Sequence, residues 1–141
     1  MTAQRLFKGE YPCDVHRISG ARTEVVQALG REGRVSRQHL IDFEIALGEV
    51  LQNIVRHEKC THTPCHFSIE LACSQLDLHV TVTDTCDLLQ DVSFLDLAHV
   101  ATENGGMGVR LIKNIVSKYN ISSEKRTNKH SLVFSNFLTP T

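Results

Sequence analysis

From Ser36 to about His57 the apolar residues Leu40, Phe43, Leu47, Val50, Leu51 and Ile54 return every three to four positions. That is the period of a helix with one buried stripe. From Phe67 to Val82 the period changes to two. Phe67, Ile69, Leu71 and Cys73, then Leu76, Leu78, Val80 and Val82, alternate with polar neighbours, the pattern of half-buried strands. The short Ser74-Gln75 break joins the two runs as an antiparallel hairpin. A long helix with one apolar stripe and a hairpin with one apolar face each require a cover, and packing one on the other supplies both.

The rest of the chain extends this pattern. Ser36 is a good N-cap for the long helix. An earlier helix is predicted from Ser19 or Gly20 to about Leu29, with Val25, Val26 and Leu29 at helical spacing and Gly30 as its stop. Residues 13–18 are a candidate N-terminal strand. Asp84 ends the second strand of the hairpin. Residues 85–104 read as an irregular lid with a helical turn around 94–100. A further helix is expected from Gly108 to Tyr119, with Val109, Leu111, Ile112, Ile115 and Val116 on its apolar face. Strands near 120–125 and 131–137, around a turn at Thr127-Asn128, close the chain. The order predicts an α+β fold, a two-layer α/β sandwich with a mixed, mostly antiparallel sheet and helices on one face.

Composition narrows the function classes. The 141 residues predict a single domain spanning 1–141, large enough for a substantial core. With 41% hydrophobic and 22% charged residues, the chain has the balance of a globular protein. Its net charge of −1 supplies no basic field for direct nucleic-acid binding or for an anionic membrane. No apolar run approaches the roughly 20 residues of a membrane span, and Met1 to Glu10 has no signal-peptide h-region. A cytoplasmic location is expected. The five cysteines, an odd number, argue against a closed disulfide framework.

Three features carry chemistry. Glu49, Asn53 and His57 lie at i, i+4 and i+8 on the long helix, along one face. An asparagine amide oxygen is a hard neutral ligand suited to a magnesium ion that also holds phosphate oxygens. A carboxylate one turn away can orient or deprotonate a nucleophile near a terminal phosphate. A polar stripe of this kind is also the ordinary exposed face of a surface helix. Gly105-Gly106-Met107-Gly108 opens into a helix whose first N–H groups and dipole form a natural seat for phosphate. It is neither a P-loop nor a Rossmann turn, and a lid-to-helix turn without a ligand has the same composition. Asp84, at a strand end, can accept hydrogen bonds from an adenine amino group or simply terminate the strand. The order of these features gives them weight that none has alone: acidic helix, strand-end aspartate, lid, glycine turn, helix.

These residues resemble the GHKL superfamily of histidine kinase-like ATPases, and within it the small anti-sigma factor serine/threonine kinases. The stretch from Ile45 to His57, with Glu49 and Asn53, is similar to the N box. Asp84 falls where the aspartate of the G1 box belongs, and Gly106-Met107-Gly108 with Val109-Arg110-Leu111-Ile112 looks like the G2 box and its helix. Ala21-Arg22 resembles an arginine site that contacts phosphate or partner. The likeness covers residues 15–138. It implies the Bergerat ATP-binding sandwich, with ATP and Mg2+ as ligands. By resemblance Glu49 is the general base, Asn53 the magnesium ligand and Asp84 the adenine anchor, with Gly106, Met107 and Gly108 on the phosphate side and Arg22 nearby. The implied activity is transfer of the γ-phosphate to a serine or threonine of a STAS-type anti-sigma factor antagonist. The implied partners also include a sigma factor and a second copy of the chain in a homodimer.

One departure qualifies the resemblance. The G1 pattern Asp-x-Gly reads Asp84-Thr85-Cys86 here, and a cysteine restricts φ where the family's backbone passes close to the base. The alternative reading is therefore a catalytically weak or inactive module that keeps the fold and sequesters a sigma factor or other regulatory partner. The ATP-binding half of a two-component histidine kinase fits less well, because 141 residues leave no room for a phosphoacceptor helix pair. His57, Cys60, His62, Cys65 and His66 crowd together, but their spacing matches no zinc-finger pattern. They read as a polar connection from the long helix to the hairpin.

Overall fold

The computed structural model describes residues 3–57, 66–85, 115–124 and 127–140. Among these the elements run β1 (Gln4–Pro12), α1 (Val15–Glu32), α2 (Arg37–His57), β2 (His66–Ser74), β3 (Asp77–Asp84), β4 (Lys118–Glu124) and β5 (Thr127–Phe134). The strands form one sheet in the order β1-β2-β3-β5-β4. Every pairing among them is antiparallel, so the mixed sheet expected from sequence is fully antiparallel across the described strands.

The two layers follow from the periodicities. On β2 and β3 each second residue is buried: Phe67, Ile69, Leu71 and Cys73, then Leu78, Val80, Val82 and Asp84. The intervening residues, among them Glu70, His79, Thr81 and Thr83, lie on the other, partly exposed face. Against the buried face pack Ile18, Ala21, Val25 and Leu29 of α1 and Phe43, Ala46, Leu47, Val50, Leu51 and Ile54 of α2, in one continuous core. Burial of side chains of this size stabilises by about 1.5–3 kcal/mol each relative to exposure, which is what holds the helices on the sheet.

Helix ends are set by their caps. Asp14 Oδ1 accepts from the His16 N–H at 2.9 Å and starts α1. Residues 13–18 therefore contain a cap and the first turn of α1, and the N-terminal strand lies earlier, at Gln4–Pro12. Gly30 lies inside α1. The stop is Gly33, in the left-handed region at φ 80°, whose N–H donates to Gly30 O, a conformation that favours glycine. Ser36 Oγ accepts from the His39 N–H at 3.1 Å and caps α2, as the sequence predicts. The C-terminal segment is tied down by Phe137 and Leu138 N–H groups donating to Leu76 O. Its Leu138 also bridges to Val35.

α2 begins at the end of the sheet where β5 finishes. Phe43 packs 5.7 Å from Phe134 and 6.4 Å from Phe137, centroid to centroid, and His39 Nδ1 lies 2.9 Å from Phe137 O. The last residue of α2, His57, leads through residues 58–65 into β2. At that end Phe67 near the start of β2, Asp84 at the end of β3 and Asn128 near the start of β5 share one row. The chain thus carries the second half of α2, with Glu49 and Asn53, from the Phe134 end of the sheet toward the end where Asp84 sits.

Candidate functional site

Asp84 is the last residue of β3 and is fully buried on the inner face. A buried carboxylate is costly unless it is hydrogen-bonded, and the sheet register supplies the partners. Asn128 on β5 stands directly opposite Asp84 and donates from Nδ2 to Oδ1 at 2.9 Å. Two residues along the same face of β5, His130 places Nε2 3.6 Å from Asp84 Oδ2. The other ring nitrogen, Nδ1, lies 3.1 Å from the Tyr119 hydroxyl on β4, with the two rings stacked at 6.2 Å. Asn128 and His130 are as buried as Asp84. Four polar side chains from three adjacent strands thus form one cluster at the end of an otherwise apolar face.

Beyond Asp84 the hairpin is held for one more residue. Thr85 N–H donates to His66 O, and His66 N–H donates to Thr85 Oγ1, both at 3.0 Å. This fixes the backbone on the C-terminal side of Asp84. Cys86, where the motif that the sequence resembles has glycine, lies outside the described residues.

On the helical layer, Glu49 is partly exposed on α2 and Gly48, beside it, is buried. A Cβ added to Gly48 would lie 2.9 Å from Arg22 Nη1 and 3.4 Å from Arg22 Cδ. The absent side chain is therefore what lets Arg22 of α1 lie across α2 at Gly48. A mid-helix glycine costs about 1 kcal/mol relative to alanine, and here the vacant space is filled by a guanidinium stem. Gly48→Ala is expected to displace Arg22 while holding thermal stability level or raising it. A melting curve checks this: an undiminished melting temperature is the expected result.

Of the residues singled out from sequence, the structure places Asp84, Glu49 and Arg22, and carries Asn53 in the backbone of α2; the Asn53 side chain is outside the described part. Gly106, Met107 and Gly108, the lid at 85–104 beyond Thr85, and most of the helix from Gly108 lie outside the described residues. That helix ends before Tyr119: Ile115 is helical, and Lys118 and Tyr119 are already in β4. Of the cysteine and histidine cluster, His66 is exposed at the start of β2, and Cys60, His62 and Cys65 lie outside the description. Cys73 is a buried thiol whose sulfur accepts from Arg34 Nη2 at 3.7 Å. Sequence reasoning missed Asn128 and His130, having set a turn at Thr127-Asn128. Both are strand residues, and the run Asn128, His130, Leu132, Phe134 continues the alternation that was read only from Ser131 onward. No described helix is long and apolar enough to cross a membrane.

A two-layer sandwich with a buried strand-end aspartate and an acidic amphipathic helix defines a fold class, and comparison with known proteins gives it a family. The model of the histidine kinase-like ATPase domain matches residues 11–134, and the chain belongs to that family. Among solved structures it is similar to the histidine kinase domain of the Erythrobacter litoralis EL346 blue-light activated histidine kinase. The TM-score is 0.56 and the identity 14%, over 83% of this chain and 60% of that one. At that identity the likeness is one of fold, and this chain spans about three-fifths of the length of its counterpart. No curated protein sequence matches the chain.

Proposed function

We propose that the chain binds ATP–Mg and acts as a regulatory serine/threonine kinase of the anti-sigma type, transferring the γ-phosphate to a STAS-type antagonist. The observation that carries the nucleotide reading is the Asp84 cluster. A carboxylate buried at a strand end, oriented through one oxygen by Asn128, is what an exocyclic amine of a base requires: a fixed, charged acceptor in a low-dielectric setting. Family membership supports ATP as the ligand, because the matched region is an ATPase domain.

In this reading Asp84 binds the adenine amino group and Asn53 offers its amide oxygen to Mg2+. Glu49 takes the proton of the attacking hydroxyl. Arg22, laid across Gly48, contributes positive charge on the phosphate side, and Gly106, Met107 and Gly108 line that side. The bound nucleotide and metal supply a transferable phosphoryl group with its charge neutralised. Partners in this reading are the STAS-type antagonist, a sigma factor and a second copy of the chain, in the cytoplasm. The Thr85-Cys86 departure from Asp-x-Gly favours one alternative, a sequestering module with weak or no catalysis.

Asn53→Ala separates the two. If Asn53 ligates the metal, the variant loses most of the magnesium-dependent part of ATP affinity while affinity in EDTA is unchanged; this is measured by calorimetry with and without Mg2+. Equal magnesium dependence in both proteins would remove Asn53 from the site. Phosphate transfer from labelled ATP to a STAS-domain protein then decides between kinase and module.

A further inference from the structure

We infer that His130, braced by Tyr119, is a positioning residue for the Asp84 carboxylate, and that it couples binding of an amine-bearing nucleobase at Asp84 to release of one proton. The inference deepens the nucleotide reading above and rests on it.

The argument starts from what an imidazole needs at a buried position. Among the described residues, Asp84, Asn128 and His130 are the polar members of the buried set, and the next inner positions of β5, Leu132 and Phe134, are apolar. An imidazole in such a place is tolerated when both ring nitrogens meet polar groups. A carboxylate only accepts, so Asp84 at 3.6 Å favours a hydrogen on Nε2. A phenol hydroxyl both donates and accepts, so Tyr119 satisfies Nδ1 in either state. Toward a neutral ring the Tyr119 O–H donates to Nδ1; toward an imidazolium it turns, and Nδ1–H donates to the Tyr119 oxygen. The second proton of His130 can therefore come and go without leaving a buried nitrogen unpaired.

Among the described residues, the titratable groups that face His130 are Asp84 from β3 and Tyr119 from β4. Its neighbours in the same row, Val82 and Ile121, are apolar, as are Val50, Leu51 and Ile54, the α2 residues buried in this core. Lys129 and Thr83 pair on the opposite face of the sheet, and Glu49 is partly exposed. The imidazolium and an amino group of a base both interact with the same carboxylate. By linkage, each weakens the other. When the amino group donates to Asp84, Nδ1 of His130 gives its proton to solvent, Nε2–H stays directed at the carboxylate, and Tyr119 reverses its hydrogen bond. Affinity is expected to fall as pH drops through the titration of His130.

The test is ATP–Mg calorimetry at pH 8 and pH 5.5 on the whole chain and on His130→Gln, which keeps a neutral donor but binds no second proton. Titration of the nucleotide phosphates is common to both proteins and cancels in the ratio. The wild type is expected to lose about fivefold more affinity than the variant over this interval, at the low end of ordinary coupling between sites. Tyr119→Phe is the second variant, and serves if His130→Gln does not fold. It removes the acceptor for Nδ1–H, so the fall in affinity moves to lower pH. Equal pH ratios in all proteins, with ATP still bound, would overturn the proton coupling and leave the nucleotide reading intact. Absence of ATP binding by the wild type at both pH values would overturn the nucleotide reading and this inference with it.

Discussion

Glu49→Gln is expected to slow phosphotransfer by about a hundred- to ten-thousandfold, the usual contribution of a positioned general base, while leaving ATP affinity nearly unchanged. The substitution keeps the length of the side chain and one acceptor oxygen but removes the group that takes the proton. Glu and Gln have similar helix propensities, and position 49 is partly exposed on α2, so the melting temperature serves as an internal control. Single-turnover transfer from labelled ATP to a STAS-domain protein measures the rate. An unchanged rate would remove Glu49 from the catalytic role and, with the Asn53 result, the kinase assignment.

The second large effect belongs to Asp84. Asp84→Asn preserves shape but replaces one carboxylate oxygen by an N–H donor. A hydrogen bond to a charged group is worth about 1.5–3 kcal/mol, so ATP affinity is expected to drop roughly 10- to 150-fold. The inversion of donor and acceptor also has a sign that a merely damaged site would not reproduce. An amide donor opposes an exocyclic amine and favours a carbonyl, so the ratio of GTP to ATP affinity should rise. Competition binding with both nucleotides reads this directly. A uniform loss for both would place the effect in the fold rather than in base recognition. The His130 and Asn128 contacts make that control necessary, because they support Asp84 from within the core.

Much of this architecture is legible in the sequence because it depends on binary pattern. The stripe of α2 and the alternation of β2 and β3 are strong periodic signals, and the Ser36 cap is local chemistry; all three are found in place, except that the hairpin turn is Gln75-Leu76 rather than Ser74-Gln75, so Leu76 lies outside β3. The failures have physical causes. β1 carries Lys8 and Glu10 at exposed positions of an edge strand, with a register shift between Arg5 and Phe7, so its alternation is broken. Gly30 has the composition of a helix stop, but a stop also needs the left-handed backbone, which occurs at Gly33. The start of β5 is hidden because Asn128 and His130 place polar groups on the buried face, where a pattern reader expects apolar ones. They break the local rule in order to hold Asp84, and such breaks concentrate at functional sites. Asp84 itself is visible as a strand end, whereas its supports become visible once the β3–β5 register is known.

The most direct test of the account is ATP–Mg titration of the wild-type chain by calorimetry, beside Asp84→Asn as the control for base recognition. Saturable one-to-one binding, weakened in the variant, is the expected result. A flat titration of wild type up to millimolar nucleotide would contradict the account and leave a histidine kinase-like ATPase fold without a working nucleotide site.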